Sequence, residues 1–188
     1  MAKVYILLAE GFEEVEALAT ADVLVRSGVE VVLTGIKPGT AVVCGSHGFR
    51  ITADSVFASD KEYDAAKYGD ADAVILPGGK PGTDHLMASP GVAEMVKAYY
   101  NAGRYVCAIC AAPTVLAACG LLDGLEATCF PGCESGLADA IYVDAPVIVT
   151  GNIITGRSMG TAIDFGLKIA EKLVGRDKAD KTAHSLHR

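Results

Sequence analysis

One cysteine stands where an apolar run gives way to a helix-like segment. Cys110 follows the uncharged run Tyr105–Ile109 and precedes Ala111-Ala112-Pro113, whose proline fits the first turn of a helix. A strand-to-helix turn of about three residues exposes one side chain at the sheet edge, as in the nucleophile elbow of hydrolases. Unpaired N–H groups at a helix start also favour a thiolate. We therefore expect Cys110 to be a nucleophile and the most acidic thiol, the alternative being a packing cysteine.

Acidic residues open the segment that follows the first apolar run. Glu13, Glu14 and Glu16 begin a predicted helix, where carboxylates complement the helix dipole. By helical spacing, either Glu14 or Glu16 could point inward, and a desolvated carboxyl has a raised pKa suited to proton transfer. Periodicity alone leaves these two candidates open.

A Pro-Gly-Gly segment follows another predicted strand. The second glycine of Pro77-Gly78-Gly79 could bring its N–H close to a substrate oxygen, next to the N–H of Ala111. The alternative is a tight turn with no chemical role. No glycine segment matches a dinucleotide or phosphate-binding fingerprint, so we expect no nucleotide cofactor.

Four cysteines have a spacing close to that of a zinc site. They are Cys107-x2-Cys110 and Cys129-x3-Cys133, and the first pair also has the spacing of a redox dithiol. Cys107 falls inside the buried run, however, and no turn in Ala-Ile would bring its sulfur beside that of Cys110. We therefore expect neither a metal nor a dithiol.

The elements needed to position these residues alternate between strand and helix. This alternation predicts an α/β fold, a doubly wound, mostly parallel sheet with helices on both faces, within a single domain over residues 1–188. The predicted strands are 4–9, 29–36, 72–76, 105–109, 126–129, 141–143, 147–149 and 153–155, with a hairpin or excursion over 37–57. The predicted helices are 13–26, 90–102, 114–119 and 161–174, with a helical turn or two after Gly175.

Composition excludes several classes of function. The chain has 188 residues and a net charge of −7, which disfavours binding to nucleic acid or to an anionic membrane. The uncharged run Tyr105–Leu122 contains Pro113 and Gly120, and so it reads as strand, turn and helix, not as a membrane span. The first ten residues lack a secretory signal, so we expect a cytoplasmic protein with reduced thiols.

Four segments together resemble one known family. They are LAEGFEEVE (8–16), VILPGG (74–79), AICAAPT (108–114) and GRSMGTAIDFGLKIAEKL (156–173). In this order and spacing they resemble the ThiJ/PfpI superfamily, in the branch of the Parkinson's-disease-associated deglycase and its bacterial relatives. The resemblance implies a flavodoxin-like or class I glutamine-amidotransferase-like fold, with Cys110 as nucleophile, Glu16 and not Glu14 as its protonated carboxyl partner, and Gly79 and Ala111 as backbone donors.

The sequence departs from some relatives at one position near the cysteine. Phe130 stands where those relatives carry a histidine, which weakens a peptidase or amidase interpretation because such a reaction needs a base. His47 lies in a segment where relatives place a polar or basic residue near the site and is a candidate substitute. Gly78 and Arg157 are further candidate pocket residues by the same resemblance.

The resemblance implies an enzyme that acts on reactive dicarbonyls such as methylglyoxal, or on their early protein adducts, without glutathione or another cofactor. The chemistry is consistent with a Cys110 thiolate that adds to an aldehyde and a Glu16 carboxyl that moves a proton. The alternatives are a redox sensor or chaperone that works through oxidation of Cys110, a thiol hydrolase, and a binding module. By resemblance we also expect a homodimer.

Overall fold

The computed structural model describes residues 1–188. Its strands are β1 (Lys3–Leu8), β2 (Glu30–Gly35), β3 (Val42–Cys44), β4 (Arg50–Thr52), β5 (Ser55–Val56), β6 (Ala73–Leu76), β7 (Tyr105–Ile109), β8 (Glu126–Ala127), β9 (Ile141–Tyr142), β10 (Val147–Thr150) and β11 (Ile153–Gly156). Its helices are α1 (Glu14–Arg26), α2 (Ala65–Tyr68), α3 (Lys80–Ala88), α4 (Pro90–Asn101), α5 (Pro113–Ala118), α6 (Ala162–Val174) and α7 (Arg176–Ser185). No helix combines the length and the apolar character that crossing a lipid bilayer requires.

The central sheet has seven strands in the order β10-β11-β7-β6-β1-β2-β5. Every neighbouring pair is parallel except β10 with β11. The inner order β2-β1-β6-β7-β11 is the flavodoxin-like one, which confirms the predicted doubly wound fold. Ligands of such sheets bind beyond the carboxyl ends of the strands, near the switch point between β1 and β6. The segments that follow β1, β6 and β7 therefore meet at one edge of the sheet.

Apolar side chains cover both faces of the sheet, which is why its inner strands read as continuous apolar runs. In β1, Val4 and Ile6 join a buried cluster with Leu24 of α1 and Phe165 of α6. The alternate residues of β1 belong to a second cluster, on the face covered by α4 and α5. Burial on both faces fixes the strand register, because a slip of one residue would exchange the two faces.

Helix α3 was missed by the sequence prediction. Its second and third residues are Pro81 and Gly82, a pair that reads as a turn. Pro81 is compatible with the first helical turn because its missing N–H has no partner there. A Cβ at Gly82 would lie 2.7 Å from the Cα of Phe12, so the glycine allows α3 to pack against the segment after β1.

The C-terminal segment is longer than predicted, since α7 has ten residues. Only Ala179 and Thr182 of this polar helix are buried, too few to give a clear periodic pattern. Ser27 at the end of α1 donates a hydrogen bond to Thr182 at 3.0 Å, which ties α7 to the first helix.

Two smaller sheets account for the remaining strands. The excursion over residues 37–57 contains the antiparallel hairpin of β3 and β4, as the sequence predicted. The strand predicted over 126–129 is only β8, which pairs in parallel with β9 outside the main sheet.

Candidate active site

Cys110 lies at the turn between β7 and α5 in a strained backbone conformation. Its φ angle is +65°, which is rare for a residue with a side chain and costs about 1–3 kcal/mol. The N–H of Cys110 donates to the carbonyl of Gly156 at 2.9 Å, and its own carbonyl accepts from the N–H of Phe130 at 2.8 Å. These two bonds hold the strained turn in place.

Glu16 is the carboxyl beside this thiol. It is 1% exposed, and its Oε2 accepts a hydrogen bond from the N–H of Gly78 at 2.8 Å. Its Oε1 is buried and has no hydrogen-bond partner. Glu13 caps the start of α1, because its Oε2 accepts from the N–H of Glu16 at 2.6 Å. The first turn of α1 therefore presents Glu16 to the sulfur in a fixed position.

Gly78 and Gly79 line the site beside Cys110 and Glu16. A Cβ at Gly78 would lie 2.6 Å from the Cβ of Cys110 and 2.7 Å from Oε2 of Glu16. Gly79 has a φ of +90°, and a Cβ there would overlap the carbonyl of Gly11. The N–H groups of Gly79 and Ala111 lie near the sulfur and act to lower the pKa of the thiol. Gly78 must lack a side chain because the backbone approaches the thiol so closely, and Gly79 because of its positive φ and its contact with the segment after β1.

The expected low pKa of the thiol is not what the structure favours. Burial raises the pKa of Cys110, and the negative charge of Glu16 raises it further. The N–H groups of Gly79 and Ala111 lower it only in part. Helix α5 has only six residues, so the effect of its dipole on the thiol pKa is too small to outweigh that of desolvation. The prediction that Cys110 is the most acidic thiol is therefore wrong.

The pKa of Glu16 moves in the complementary direction. Burial raises it to about 7, against the opposing effects of the Cys110 side chain and the N–H of Gly78. Two ionisable groups in contact titrate as a pair. Near neutral pH the thiol therefore keeps its proton while the Glu16 carboxyl gains and loses one, so Glu16 can take up and return protons during a reaction.

Substitution of Gly78 should disturb the contact between Cys110 and Glu16 although it changes neither of these residues. In Gly78→Ala the new methyl group overlaps both Cys110 and Glu16, so one of them must move. A displacement near 1 Å costs about 10²-fold in the rate of a positioned reaction, and we expect a loss of that order in turnover. Gly160→Ala is the matched control, because its nearest heavy atom would be 4.0 Å away. Equal rates for the two variants would contradict this geometry.

His47 contacts Glu14, the glutamate that does not face the thiol. Its Nδ1 lies 2.9 Å from Oε2 of Glu14, and its backbone N–H donates to Oε1 at 2.7 Å. Burial acts to raise the pKa of Glu14, but the hydrogen bonds from His47 and Ser46 lower it to about 2. Glu14 in turn raises the pKa of His47. The structure therefore engages His47 with a carboxylate and not with the sulfur.

Two other candidate pocket residues have different surroundings. Phe130 is half exposed and supports Cys110 through its backbone N–H, with no basic group in its side chain. Arg157 forms an ion pair with Asp144 at 3.0 Å. This candidate pocket residue thus already has an acidic partner.

The zinc spacing of the cysteines does not correspond to a cluster. Cys107 is buried on the face of the sheet covered by α1 and α6, whereas Cys129 belongs to the cluster on the opposite face. Burial raises the pKa of both thiols, that of Cys129 to about 12. The sheet itself separates these members of the predicted ligand set.

Sequence reasoning missed the backbone partners of the site. Glu13 was assigned only a dipole role, although it caps the helix that carries Glu16. The contribution of Gly156 lies in a carbonyl group, which residue type does not reveal. A capping residue three positions before Glu16 could have been found from its spacing, but the long-range carbonyl partner could not.

The fold and this site define an open α/β protein of the flavodoxin-like type, with a cysteine at the strand-to-helix turn after β7 and a buried carboxyl beside it. The sequence model of the DJ-1/PfpI family matches residues 2–172. The chain belongs to this family.

Similar proteins cover almost the whole chain. Protein dj-1beta of Drosophila melanogaster is 39% identical over 186 residues, covering 96% of this chain and 94% of its own. The glutathione-independent glyoxalase DJR-1.2 of Caenorhabditis elegans is 34% identical, covering 93% and 90%. The crystal structure of Drosophila melanogaster DJ-1beta superposes with a TM-score of 0.91 at 37% identity, covering 98% of this chain and 97% of that one.

Proposed function

We propose that the protein is a cysteine-dependent, glutathione-independent enzyme that converts reactive dicarbonyls such as methylglyoxal, or their early adducts on proteins. The observation that carries the proposal is the strained Cys110 thiol enclosed by one buried carboxyl and two backbone donors. Membership of a family that includes a protein named as a glutathione-independent glyoxalase supports the substrate class.

The first step forms a bond between sulfur and carbon. The sulfur of Cys110 adds to the aldehyde carbon, and the thiol proton passes through the Glu16 carboxyl to the new oxygen, giving a hemithioacetal. The N–H groups of Gly79 and Ala111 stabilise the negative charge that develops on this oxygen. No external base is required, because the carboxyl takes up the proton as the carbon–sulfur bond forms.

The second step moves a proton between neighbouring carbons. The Glu16 carboxylate removes the proton from the former aldehyde carbon and returns a proton to the adjacent ketone carbon, which leaves a thioester on Cys110. Water then cleaves the thioester, releasing a hydroxy acid and restoring the thiol. The overall reaction is the addition of one water to the dicarbonyl, so no external oxidant or reductant is consumed.

Turnover in heavy water tests this sequence. With methylglyoxal and no glutathione, NMR should show lactate accumulating with deuterium at the carbon that bears the hydroxyl group, because the carboxyl proton exchanges with solvent. Glu62→Gln, which changes an exposed glutamate, is the control for general effects of charge. Absence of lactate would contradict the activity, and equal rates of lactate formation by wild type and Glu16→Gln would contradict the role of Glu16.

Oxidation of Cys110 is the second candidate function. Oε1 of Glu16 is buried without a partner, and a protonated carboxyl could donate from it to an oxygen added to the sulfur. The N–H groups that would stabilise an alkoxide would equally stabilise a sulfinate. The thiol-hydrolase alternative receives less support, because His47 is paired with Glu14.

The proposal includes assembly as a homodimer in the cytoplasm. Val15 and Leu18 share an exposed face of α1, and Phe49 is exposed on the adjacent hairpin. Burying such apolar side chains against a second copy would remove them from water. Light scattering after size exclusion at micromolar protein should give the mass of a dimer, and a monomer mass would contradict this part.

A further inference from the structure

Three side chains that can bind metals lie together where α1 begins and the β3–β4 hairpin turns. They are Glu13, Glu14 and His47, and their donor atoms all lie within 4.8 Å of one another. Zinc binds nitrogen and oxygen ligands at about 2.0–2.2 Å in a tetrahedral arrangement, which places any two ligands about 3–3.5 Å apart. Nδ1 of His47 and Oε2 of Glu14 are 2.9 Å apart. One pair of donors therefore already has the spacing of two ligands on one ion, and the third donor lies within 4.8 Å of both.

The two carboxylates of this cluster have between them a single ionic partner, His47. Glu14 is only 5% exposed, and its sole ionic partner is His47, with no lysine or arginine beside it. The carboxylate of Glu13 has no ionic partner in the structure. Buried carboxylates are normally paired with a cation or coordinate a metal. With a neutral imidazole the cluster carries two negative charges, which one divalent ion would balance.

The donors are held in place before any ion arrives. A Cβ at Gly45 would overlap the Glu14 carboxylate, so this carboxylate lies directly against the hairpin backbone. Ser46 donates to its Oε2 at 3.1 Å and fixes its orientation. Glu13 uses Oε2 as the cap of α1, which leaves Oε1 for a ligand. Two elements thus present three ligands, with open positions for water.

We propose that Glu13, Glu14 and His47 bind one divalent transition-metal ion that bridges the hairpin to the first turn of α1. The ion would replace the proton between His47 and Glu14. One imidazole and two carboxylates favour ions of the zinc and cobalt type over calcium, which takes oxygen ligands only. The site involves no sulfur and does not depend on the proposed reaction. The sequence did not predict it, because Glu13 and Glu14 are far from His47 along the chain and only the cysteines have the spacing of metal ligands.

Titration of the chelator-treated full chain with Co²⁺ tests the proposal. Calorimetry measures the affinity, and absorption spectra reveal any thiolate ligand, because thiolate ligation of Co²⁺ gives a distinct near-ultraviolet charge-transfer band. Wild type should bind a single Co²⁺ without that band, and so should Cys110→Ser. Removing even an outer-shell partner of a metal ligand costs about 10- to 100-fold in affinity, so His47→Ala should lose at least that much. His47 is exposed, so its replacement should leave the fold intact.

Two further variants keep the test decisive. His85→Ala removes a histidine outside the cluster and should bind Co²⁺ as wild type does. Glu13→Gln keeps an oxygen to cap α1 but loses the charge, and should bind more weakly. Co²⁺ should also raise the melting temperature of wild type and not that of His47→Ala. Equal affinity in wild type and His47→Ala, or binding that shows the thiolate band and disappears in Cys110→Ser, would overturn the proposal.

Discussion

Cys110→Ala should reduce turnover of methylglyoxal by at least about 10³-fold, the scale seen when a covalent nucleophile is removed from an otherwise intact site. The reason is that no other group can form the carbon–sulfur bond, because the remaining carboxyl and N–H groups only transfer protons and stabilise charge. Steady-state rates without glutathione measure the effect.

The control for this variant is another cysteine of the same chain. Cys119→Ala removes a partly exposed thiol at the end of α5, outside the site described above. Its rate should stay close to that of wild type. The covalent mechanism would be refuted if both variants lost activity equally, or if Cys110→Ala kept more than a small fraction of the wild-type activity.

Glu16→Gln should lower turnover and raise stability at alkaline pH. The amide keeps the shape and one acceptor for the N–H of Gly78, but it cannot accept and return a proton. General acid–base groups contribute about 10²–10⁴-fold, and we expect a loss in that range.

The stability change follows from the raised pKa of Glu16, which burial brings from its usual value of 4.5 to about 7. The native state then binds the proton more tightly than the unfolded chain does. This contribution is fully present below pH 4.5 and is lost as the pH rises through 7, amounting to about 3 kcal/mol. Glutamine has no charge to desolvate, so the variant should gain about that much over wild type between pH 4.5 and pH 8.

Urea unfolding of both proteins across this pH range measures the difference. Glu62→Gln, at an exposed position, should follow wild type throughout. A constant difference between Glu16→Gln and wild type at all pH values would mean that Glu16 is not a desolvated carboxyl in the native protein.

The order of strands and helices was readable because each inner strand is apolar on both faces and each main helix has its own start or stop signal. Helix α3 could not be predicted, because Pro81-Gly82 has the sequence of a turn. The glycine is explained only by its contact with Phe12, which the sequence does not show. The length of the polar helix α7 was underestimated, because its two buried residues are too few to form a periodic apolar pattern.

The candidate site was partly readable as well. Strand ends place Cys110, Gly79 and the Glu13–Glu16 segment at one edge, whereas the choice of Glu16 over Glu14 needed the resemblance. The pKa of Cys110 could not be read from the sequence, because desolvation depends on what encloses the sulfur. The pairing of Glu14 with His47 depends on a hairpin whose register the sequence did not show.

The most direct measurement of the central claim is peptide mapping after limited oxidation by peroxide, with six free cysteines competing in one chain. The account predicts that Cys110 reaches sulfinate before any other cysteine although burial raises the pKa of its thiol, because the Glu16 carboxylate can take up the thiol proton and the N–H groups of Gly79 and Ala111 can donate to the added oxygens. Glu16→Asp, with a shorter reach, should change how far this oxidation proceeds. Oxidation of Cys44, Cys129 or Cys133 ahead of Cys110 would contradict the assignment of Cys110 as the working thiol.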